Sequence, residues 1–480
     1  MTKKKFYLTV AIPYVNAKPH IGHALEFVQG DVVARWHRQR GEDVFYVSGA
    51  DENSLKNVQA AEKLGISPKQ LCDENAKAFV EFARALNVQF DVFYRSSSPE
   101  HIASSQELWR RCDVAGDIYK KQYRGLYCVG CELFYTRAEL NERGECFEHS
   151  GKPLEEVEEE NYFFRLSKYQ KQLDALIASD RYHIVPEGKK NEALSFMRAG
   201  LEDFSISRSV TRARGWGVPV PDDPAHIMYV WFDALNVYRS AAPDRWPADL
   251  HVIGKGILRF HAVYWPAILL SAKLPLPKEL FVHGYVTVDG AKMSKTTGNV
   301  VDPIALVEKY GADAVRYYFL REISPYDDGD YSEEKFKTRY NADLANGLGN
   351  FAARVLTLGV GIGDFGANRK PAFGVTEKIE ATKKLVEEKI ASFKFNEALA
   401  AIWDLIAFGD EYVNAKSPWK IADSQEKAQA LFDLVVVLDN VAALVTPYLP
   451  DAAGKISKCI AWDGDVLRVQ RGAVLFPRIE

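Results

Sequence analysis

Two histidines spaced three residues apart follow the first apolar run of the chain. Residues 13–23 read Pro-Tyr-Val-Asn-Ala-Lys-Pro-His-Ile-Gly-His, directly after the apolar residues 6–12 and before a long helical pattern. This order predicts a strand, a tight turn and a helix. The first turn of a helix binds phosphates well, because its N–H groups are unpaired and it carries a partial positive charge. We expect His20, Gly22 and His23 to hold a nucleotide; a pair of histidines without a ligand is the alternative.

A second group of candidate residues lies far downstream, near the end of the apolar residues 281–288. Residues 291–296 read Ala-Lys-Met-Ser-Lys-Thr, so that Lys292 and Lys295 flank a small hydroxyl residue. Two lysines on a mobile loop can bind a triphosphate whose charge shifts during a reaction. The two motifs together predict a nucleotide site in which Lys292 and Lys295 bind the triphosphate.

Three of the six cysteines are clustered with a histidine. Cys128-x-x-Cys131 is followed, after fourteen intervening residues, by Cys146-x-x-His149. Two pairs of soft ligands at this spacing match the tetrahedral set that Zn²⁺ prefers, and no position is left open for water. We therefore predict one structural Zn²⁺; idle cysteines and a surface histidine are the alternative. Cysteines 72, 112 and 459 are isolated and are expected in the core.

Short apolar strands alternate with helical patterns in the first part of the chain. Strands are predicted over residues 43–47 and 90–94, with a helix over 67–86 between them, which is the rhythm of a parallel sheet. Ligands bind outside the carboxyl ends of such strands. Asp51 follows the second strand and is expected to face the same crevice as His20; a helix N-cap is its alternative role.

The rhythm breaks between residues about 117 and 186 and then resumes. Residues 191–203 are helical in pattern, and both 228–238 and 252–267 begin as a strand and end as a helix. From about residue 340 onward strands are not expected, and helical spacing recurs through 344–358, 375–408 and 428–448. The second part is therefore predicted to be a helical bundle.

Composition indicates an ordinary globular protein. Its 480 residues are 47% hydrophobic and 26% charged, with a net charge of −4 and a pI near 6.3, so any nucleic-acid surface must be local. The N-terminus lacks an apolar signal core, and no stretch is expected to reach membrane-spanning length. We predict a cytoplasmic protein without membrane association.

The two phosphate-binding motifs, in this order, resemble the signatures of class I aminoacyl-tRNA synthetases, with Thr296 in place of a final serine. Other segments narrow the resemblance to the methionyl-tRNA synthetase family. These segments are Pro13-Tyr14, the Cys/His knuckle, and residues 216–221, 229–235, 259–266 and 282–295. The likeness extends over almost the entire chain.

This resemblance implies an α/β fold: a Rossmann-type parallel-sheet catalytic domain with a zinc-knuckle insertion, followed by an all-α anticodon-binding bundle. It implies these divisions: 1–116 and 189–296 as the two halves of the catalytic domain, 117–188 as the insertion, 297–340 as a linking fold that contacts the tRNA stem, and 341–480 as the anticodon-binding domain. A monomer is expected, because the chain ends after the bundle without an appended dimerising module.

The resemblance also implies a reaction and its site residues. Methionine is activated by ATP with Mg²⁺ and passed to the 3′ end of tRNA(Met). ATP would be bound by His20, Gly22, His23, Gly284, Val286, Lys292, Met293, Ser294 and Lys295. Methionine would be bound by Ile12, Tyr14, Asp51, Trp231, Ala234, Leu235, Tyr238, Ile257 and His261, with Asp51 on the ammonium group. The anticodon would be read by Asn350, Arg354 and Trp419.

Two departures from the family pattern and several alternatives stay open at this point. Many members read Asp-Glu-His-Gly where this chain has Asp51-Glu52-Asn53-Ser54, and Gly-Lys-Asp-Ile where it has Gly254-Lys255-Gly256-Ile257. Three alternative functions are open: a paralogue that activates another small amino acid, a small-molecule adenylyltransferase, and a tRNA-binding protein with reduced catalytic activity. Taken singly, Trp231, Tyr238 and Trp419 are better explained as core aromatics, Asn350 as a capping amide and Arg354 as a surface ion-pair residue.

Overall fold

A computed structural model of the chain describes all residues except 1–2, 129, 131–132, 136, 138–139, 147–150, 152, 293–300, 361–363, 366–368 and 465. The chain folds into two compact units. The first consists of residues 1–19, 41–82 and 89–282, and the second of residues 20–40, 83–88 and 283–480.

Strands and helices alternate through the first 283 residues. The strands are β1 (Lys5–Val10), β2 (Asp43–Ala50), β3 (Val92–Arg95), β4 (Ile118–Cys128), β5 (Leu133–Tyr135), β6 (Glu155–Phe164), β7 (His183–Val185), β8 (Phe204–Ser205), β9 (Ser207–Ser209), β10 (Pro219–Val220), β11 (Asp223–Met228), β12 (Leu250–Gly254) and β13 (Glu279–His283). The helices are α1 (Ile21–Gln39), α2 (Leu55–Leu64), α3 (Pro68–Ala85), α4 (Pro99–Val114), α5 (Gln170–Ala178), α6 (Glu187–Arg198), α7 (Val230–Ala234), α8 (Val237–Ser240) and α9 (Trp265–Ser271).

A six-stranded sheet forms the centre of the first unit, in the order β3-β2-β1-β12-β13-β7. β1 pairs in parallel with β2 on one side and β12 on the other, so that Leu8 lies opposite both Tyr46 and Leu250. The chain order reverses direction at β1, which is where ligands bind in open parallel sheets. The predicted parallel-sheet α/β fold is confirmed.

An antiparallel sheet of four strands, β5-β4-β6-β8, interrupts the first unit where the alternation of predicted strands and helices breaks. β4 pairs with β6 from Ile118 opposite Phe164 to Tyr127 opposite Glu155, and β5 and β8 flank this pair. A smaller sheet, β10-β11-β9, lies between β8 and the start of α7 in the chain.

Helices dominate the second unit after residue 300. Its helices beyond α1 are α10 (Pro303–Tyr310), α11 (Ala312–Arg321), α12 (Glu333–Arg339), α13 (Asn350–Val360), α14 (Phe373–Ala391), α15 (Phe395–Lys416), α16 (Ser424–Val445) and α17 (Pro450–Ser457). Its strands are β14 (Val286–Val288), β15 (Ala291–Lys292), β16 (Gly329–Tyr331), β17 (Asp364–Phe365), β18 (Ile460–Asp463) and β19 (Val466–Val469). The predicted helical C-terminal domain is confirmed.

Two expectations for this region are wrong in detail. Strands do occur after residue 340, because β17, β19 and β18 form an antiparallel sheet whose β18–β19 hairpin turns at Gly464, with φ at +57°. The helical pattern over 375–408 is two helices rather than one. The break falls at Phe393, a non-glycine residue with φ at +56° whose ring is buried.

The expectation that no stretch reaches membrane-spanning length is also wrong. α16 is long and apolar enough to cross a bilayer by length and composition, with a mean hydropathy of 1.8 over its most apolar window. However, 72% of that window is buried within the protein. A core helix of a soluble bundle passes the same test, so this helix alone does not indicate a membrane protein.

Asp313, in the first turn of α11, is a buried carboxylate that receives backbone N–H groups from α17. Its Oδ2 accepts a hydrogen bond from Ala452 N at 2.7 Å, and its Oδ1 is 3.4 Å from Asp451 N. Burial raises the pKa of Asp313 to about 6, although these bonds and Arg316 favour the charged form. Its neutral form therefore adds stability that is fully present below about pH 4 and is lost as the pH rises through about 6.

We expect Asp313→Asn to be progressively more stable than the wild type as the pH rises from 4.5 to 8. The neutral amide keeps an oxygen acceptor for Ala452 N but does not ionise. The pKa difference corresponds to up to about 3 kcal/mol. Parallel denaturation of both proteins across this pH range would test it, and a difference that stayed constant with pH would contradict it.

Candidate active site

The histidine motif forms the N-terminal cap of α1. His20 is the N-cap residue, with extended backbone, and its Nδ1 accepts a hydrogen bond from Gly22 N at 3.1 Å. In return, Nδ1 of His23 accepts a hydrogen bond from His20 N at 3.1 Å. This reciprocal arrangement is a capping box built from two imidazoles instead of a hydroxyl and a carboxylate. The ring centroids lie 3.9 Å apart.

These hydrogen bonds determine which nitrogen of each ring carries the proton. A neutral imidazole has one donor and one acceptor, and in both histidines Nδ1 is the acceptor. Nε2 is therefore the N–H donor of each ring. Burial lowers the pKa of His23 well below its usual value, and the neighbouring His20 lowers it further. The start of α1 thus carries two imidazole N–H groups at the positive end of the helix dipole, while Gly22 N and His20 N are paired within the cap.

The other predicted ATP residues lie between Gly284 and Lys295, a segment that contains strands β14 and β15. A Cβ atom on Gly284 would lie 2.1 Å from the carbonyl oxygen of Asp327, so only glycine fits there. Val286 is buried and pairs with Gly329 in the three-stranded sheet β15-β14-β16. Lys292 ends β15, and Met293, Ser294 and Lys295 lie outside the described residues.

The predicted methionine residues meet in one apolar region at the carboxyl ends of β1 and β12. Ile12, Tyr14 and Trp231 pack against the buried cluster that contains Ala234. Trp231 and Ile12 also pack, with Ile257, on the main core, to which Leu235 and Tyr238 belong. The indole of Trp231 meets the Tyr14 ring edge-on, with centroids 6.2 Å apart. Aromatic and aliphatic groups of this kind suit a thioether.

A neutral polar pair, Tyr238 and His261, is buried at the core cluster to which Tyr238 belongs. Nδ1 of His261 is 2.9 Å from the carbonyl oxygen of Ile257, which can only accept, so Nδ1 carries the proton. The hydroxyl of Tyr238 lies 2.8 Å from Nε2 of His261 and donates to it. Burial lowers the pKa of His261 to about 4, so the ring is neutral at pH 7. The pair can meet an apolar ligand without presenting a charge.

Asp51 is held beside this region by the backbone. It forms a parallel bridge with Tyr14, and Nδ2 of Asn57 donates to the carbonyl oxygens of both Asp51 and Glu52 at 2.9 Å. The alternative role of Asp51 as a helix cap is wrong, because Ser54 is the N-cap of α2. Glu52 differs from Asp51 in that its carboxylate is bound to Arg95 and to the Ser97 hydroxyl.

The structure accounts for one of the two departures from the family pattern. Asn53 donates through Nδ2 to Asp233 Oδ2 at 2.6 Å and to the carbonyl oxygen of Ser96 at 2.9 Å. Asp233 in α7, the helix that carries Trp231, is fully buried, and burial raises its pKa; the Asn53 amide donates a hydrogen bond to one of its two carboxylate oxygens. Gly256 is exposed in the 3₁₀ turn Lys255–Ile257.

Sequence reasoning missed two residues of this site. Phe260 stacks on Trp231 with ring centroids 3.7 Å apart and an interplanar angle of 8°, which fixes the plane of the indole. Asn57 clamps the backbone of Asp51 as described above. Phe260 precedes His261, so the neighbouring candidate was a signal for it, whereas a single asparagine in a helical pattern carries no such signal.

The predicted anticodon residues include an arginine and a tryptophan that meet on the surface of the second unit. Asn350 begins α13, and Arg354 lies one turn later. The Arg354 guanidinium lies 5.6 Å from the centre of the Trp419 ring, and its Nη2 donates to Asn414 Oδ1 at 2.8 Å. Trp419 is 51% exposed, which contradicts its alternative role as a core residue.

Two of the four predicted zinc ligands can be described. Cys128, at the end of β4, and Cys146 are both buried in a small cluster with Tyr135. The Sγ of Cys146 is 3.5 Å from the Tyr135 hydroxyl. Cys131 and His149 lie outside the described residues, and the described ones alone contain no group of three metal ligands. As expected, Cys72, Cys112 and Cys459 are buried.

A parallel sheet with a switch point at β1, an imidazole-capped helix directly after that strand in the chain, and a helical C-terminal domain define the fold of a class I aminoacyl-tRNA synthetase. The family model for tRNA synthetases class I (M) matches residues 6–356, and the model for the anticodon binding domain of methionyl tRNA ligase matches residues 364–474. The chain belongs to the methionine–tRNA ligase family.

Individual relatives agree with this assignment. The methionine–tRNA ligase of Rhizobium meliloti is 43% identical over 95% of this chain and 92% of its own length. That of Nostoc is 42% identical over 95% and 89%. The solved structure of Mycobacterium tuberculosis methionyl-tRNA synthetase in complex with methionyl-adenylate has a TM-score of 0.91 and 39% identity, covering 99% of this chain and 98% of that chain.

Proposed function

We propose that this protein joins L-methionine to tRNA(Met) at the cost of ATP. The carboxylate of methionine attacks the α-phosphate of ATP, which enters with Mg²⁺ as part of the substrate, and diphosphate leaves. The methionyl group of the adenylate then passes to the terminal ribose of the tRNA. No protein side chain needs to act as a covalent nucleophile, so catalysis consists of positioning and electrostatic stabilisation.

One observation carries the amino-acid specificity of this proposal. The backbone bridge between Tyr14 and Asp51, the packing of Tyr14 with Trp231 and the neutral Tyr238–His261 pair support a site that combines a carboxylate with an aromatic and aliphatic surface. Asp51 would bind the ammonium group, and the apolar region would receive the thioether. Because the Tyr238 hydroxyl donates its proton to the neutral His261 ring, the pair would leave the sulfur in uncharged surroundings.

The phosphate chemistry is assigned to the start of α1 and to the lysine loop. The Nε2 donors of His20 and His23 would stabilise charge on the α-phosphate as its geometry changes. Lys292 and Lys295 would add positive charge to the leaving diphosphate, with Met293 and Ser294 completing the loop. Gly284 and Val286 would lie beside the bound nucleotide.

Exchange of labelled diphosphate into ATP tests the proposal, because it reports the first step without tRNA. We expect exchange to depend on methionine when the standard amino acids are supplied one at a time. Exchange with a different amino acid would indicate a diverged paralogue. Exchange that needs no amino acid would indicate a small-molecule adenylyltransferase, and no exchange at all would indicate a tRNA-binding protein without catalysis.

We further propose that Cys128, Cys131, Cys146 and His149 hold one structural Zn²⁺. The burial of Cys128 and Cys146 in one small cluster fits such a site, although the described residues provide only half of the ligands. A bound zinc ion would fix the fold of the insertion and take no part in the reaction.

Elemental analysis should therefore find about one zinc per chain. Cys131→Ala should remove it, whereas Cys72→Ala, at a buried cysteine outside the motif, should retain it. A zinc-free wild type together with a Cys131→Ala variant of normal stability would refute the site.

Recognition of the anticodon is assigned to Asn350, Arg354 and Trp419. The tRNA(Met) anticodon CAU lies in a loop, where bases can be splayed out, stacked on aromatic rings and hydrogen-bonded at their edges. Trp419 is half exposed and is held beside Arg354, an arrangement that supports stacking of a base.

Trp419→Ala should weaken charging of tRNA(Met) by roughly tenfold to a hundredfold, since base stacking contributes about 1 to 3 kcal/mol. Diphosphate exchange, which needs no RNA, should stay near the wild-type rate. Trp462→Ala is the matched control, because Trp462 is 46% exposed in the same unit. A Trp419→Ala variant that charged tRNA normally would remove this residue from the site.

The domain divisions at residues 116, 188, 296 and 340 stay predictions, as do the monomeric state and the cytoplasmic location. The two family models meet between residues 356 and 364, within the segment assigned to the anticodon-binding domain. Light scattering on the purified protein would determine the oligomeric state.

A further inference from the structure

The helix that begins at His20 lies in the same compact unit as the helical bundle. α1 packs against α11, and both belong to the unit of residues 20–40, 83–88 and 283–480. Asp31 lies near the middle of α1, about 12 Å along the helix axis from His23. Any element that holds Asp31 therefore also sets the position of the phosphate-binding end of this helix.

Arg316 of α11 holds α1 at this point. Its guanidinium is fully buried, and Nη2 lies 2.8 Å from Oδ2 of Asp31, which is also fully buried. The remaining donors reach two other segments. Nε donates to the carbonyl oxygen of Tyr448 at 2.8 Å, Nη2 to that of Pro447 at 2.7 Å, and Nη1 to that of Leu86 at 3.2 Å. One side chain thus connects α1 to residues 83–88 and to the end of α16.

A second set of polar contacts runs beside the first. Arg35, one turn after Asp31, donates to the same Asp31 carboxylate and to the carbonyl oxygen of Asn87 at 2.6 Å. Nδ2 of Asn87 donates to Asp451 of α17 at 2.9 Å. Near the end of α1, Gln39 donates to the carbonyl oxygen of Ala443 in α16 at 2.8 Å. α1 is therefore fixed to the bundle at several points along its length.

A buried ion pair is a poor choice if the only requirement is stability. Desolvation of the two charges largely offsets their attraction, and apolar residues of similar size commonly stabilise a core as well or better. What the pair does provide is a fixed relative orientation of the segments it joins, because the planar guanidinium binds its acceptors only in a defined arrangement. Asp31 and Arg316 are thus suited to fix the position of α1 relative to α16 and α17.

We propose that Arg316 is a positioning residue that couples the bundle to the phosphate-binding end of α1, so that tRNA bound at the anticodon residues acts on the rate of the reaction. This inference rests on the proposed function. It predicts that part of the anticodon effect is expressed in kcat rather than in KM, and that this part requires the Asp31–Arg316 pair.

The test compares charging of a CAU transcript with charging of a transcript whose cytosine is replaced. In Arg316→Met, Asp31→Asn and the double variant, the ratio of the two kcat values should fall by roughly fivefold or more, while the ratio of KM values is unchanged. The double variant should resemble the single variants, because the residues act as one unit. Leu434→Ala, in the buried core of α16, is the control for lost stability and should keep the wild-type kcat ratio.

Several results would overturn the inference. One is a wild-type anticodon effect confined to KM. Another is a full kcat ratio in the Asp31 and Arg316 variants, and a third is an equal fall of the kcat ratio in Leu434→Ala. If Arg316→Met does not fold, Arg316→Lys and Asp31→Asn carry the same comparison, since both retain side chains of similar size and polarity. A wild-type protein that charges no tRNA would overturn the proposed function. If the wild type charges tRNA and the Asp31 and Arg316 variants keep its kcat ratio, this inference alone is overturned.

Discussion

Replacing His20 with asparagine should lower the rate of methionyl-adenylate formation by roughly 10²- to 10³-fold, the usual effect of removing one preorganised donor from a developing negative charge. The helix itself should be almost unaffected. Asparagine is among the best N-cap residues, and its Oδ1 can accept the hydrogen bond that Nδ1 of His20 now accepts from Gly22. What the variant lacks is the Nε2 donor.

His20→Ala is the matched comparison, because it removes both the donor and the cap. It should lose the same activity and, in addition, about 1 kcal/mol of stability. Diphosphate exchange and melting on the same preparations would separate the two functions of His20. Normal exchange by His20→Asn together with slow exchange by His20→Ala would mean that His20 serves only as a cap.

Replacing Asp51 with asparagine should weaken methionine binding by roughly 10²-fold or more, since leaving a charged group without its buried partner costs about 3 to 5 kcal/mol. Asp51 is 2% exposed, and Asn57 binds its carbonyl oxygen and that of Glu52. The amide has nearly the same shape as the carboxylate, so the site should keep its form. The expected change is in the KM for methionine measured by exchange.

A methionine analogue without the amino group provides the control for this variant. 4-(Methylthio)butanoate retains the thioether and the carboxylate, so its inhibition constant should be nearly the same for the wild type and Asp51→Asn. Equal weakening of methionine and of this analogue would show that the substitution disturbs the whole site. Unchanged methionine binding would remove Asp51 from the amine-binding role.

Sequence reasoning was most successful where local pattern and fold agree. The strand–turn–helix order around His20 predicted a helix that starts at this motif, because helix starts follow from residue type and apolar spacing. The position of Asp51 after β2 likewise followed from the geometry of parallel sheets. Neither pattern could show that the two imidazoles cap each other, because that depends on ring orientation.

The failures came from contacts between distant residues or from a turn signal that was overlooked. Asp463-Gly464 between apolar residues is a common hairpin signal, but the helical surroundings outweighed it. The break at Phe393 contains neither Gly nor Pro and depends on burial of its ring. The partnership of Asn53 with Asp233 joins residues 180 positions apart, which a single sequence does not reveal.

The most direct test of the whole account is transfer of labelled methionine to a CAU-containing tRNA transcript, with ATP as the energy source. We predict that the methionyl ester forms at the 3′ end of this transcript, and that replacing the anticodon cytosine sharply reduces it. Methionine-dependent diphosphate exchange without any ester on the CAU transcript, or an ester formed with an amino acid other than methionine, would contradict the assignment.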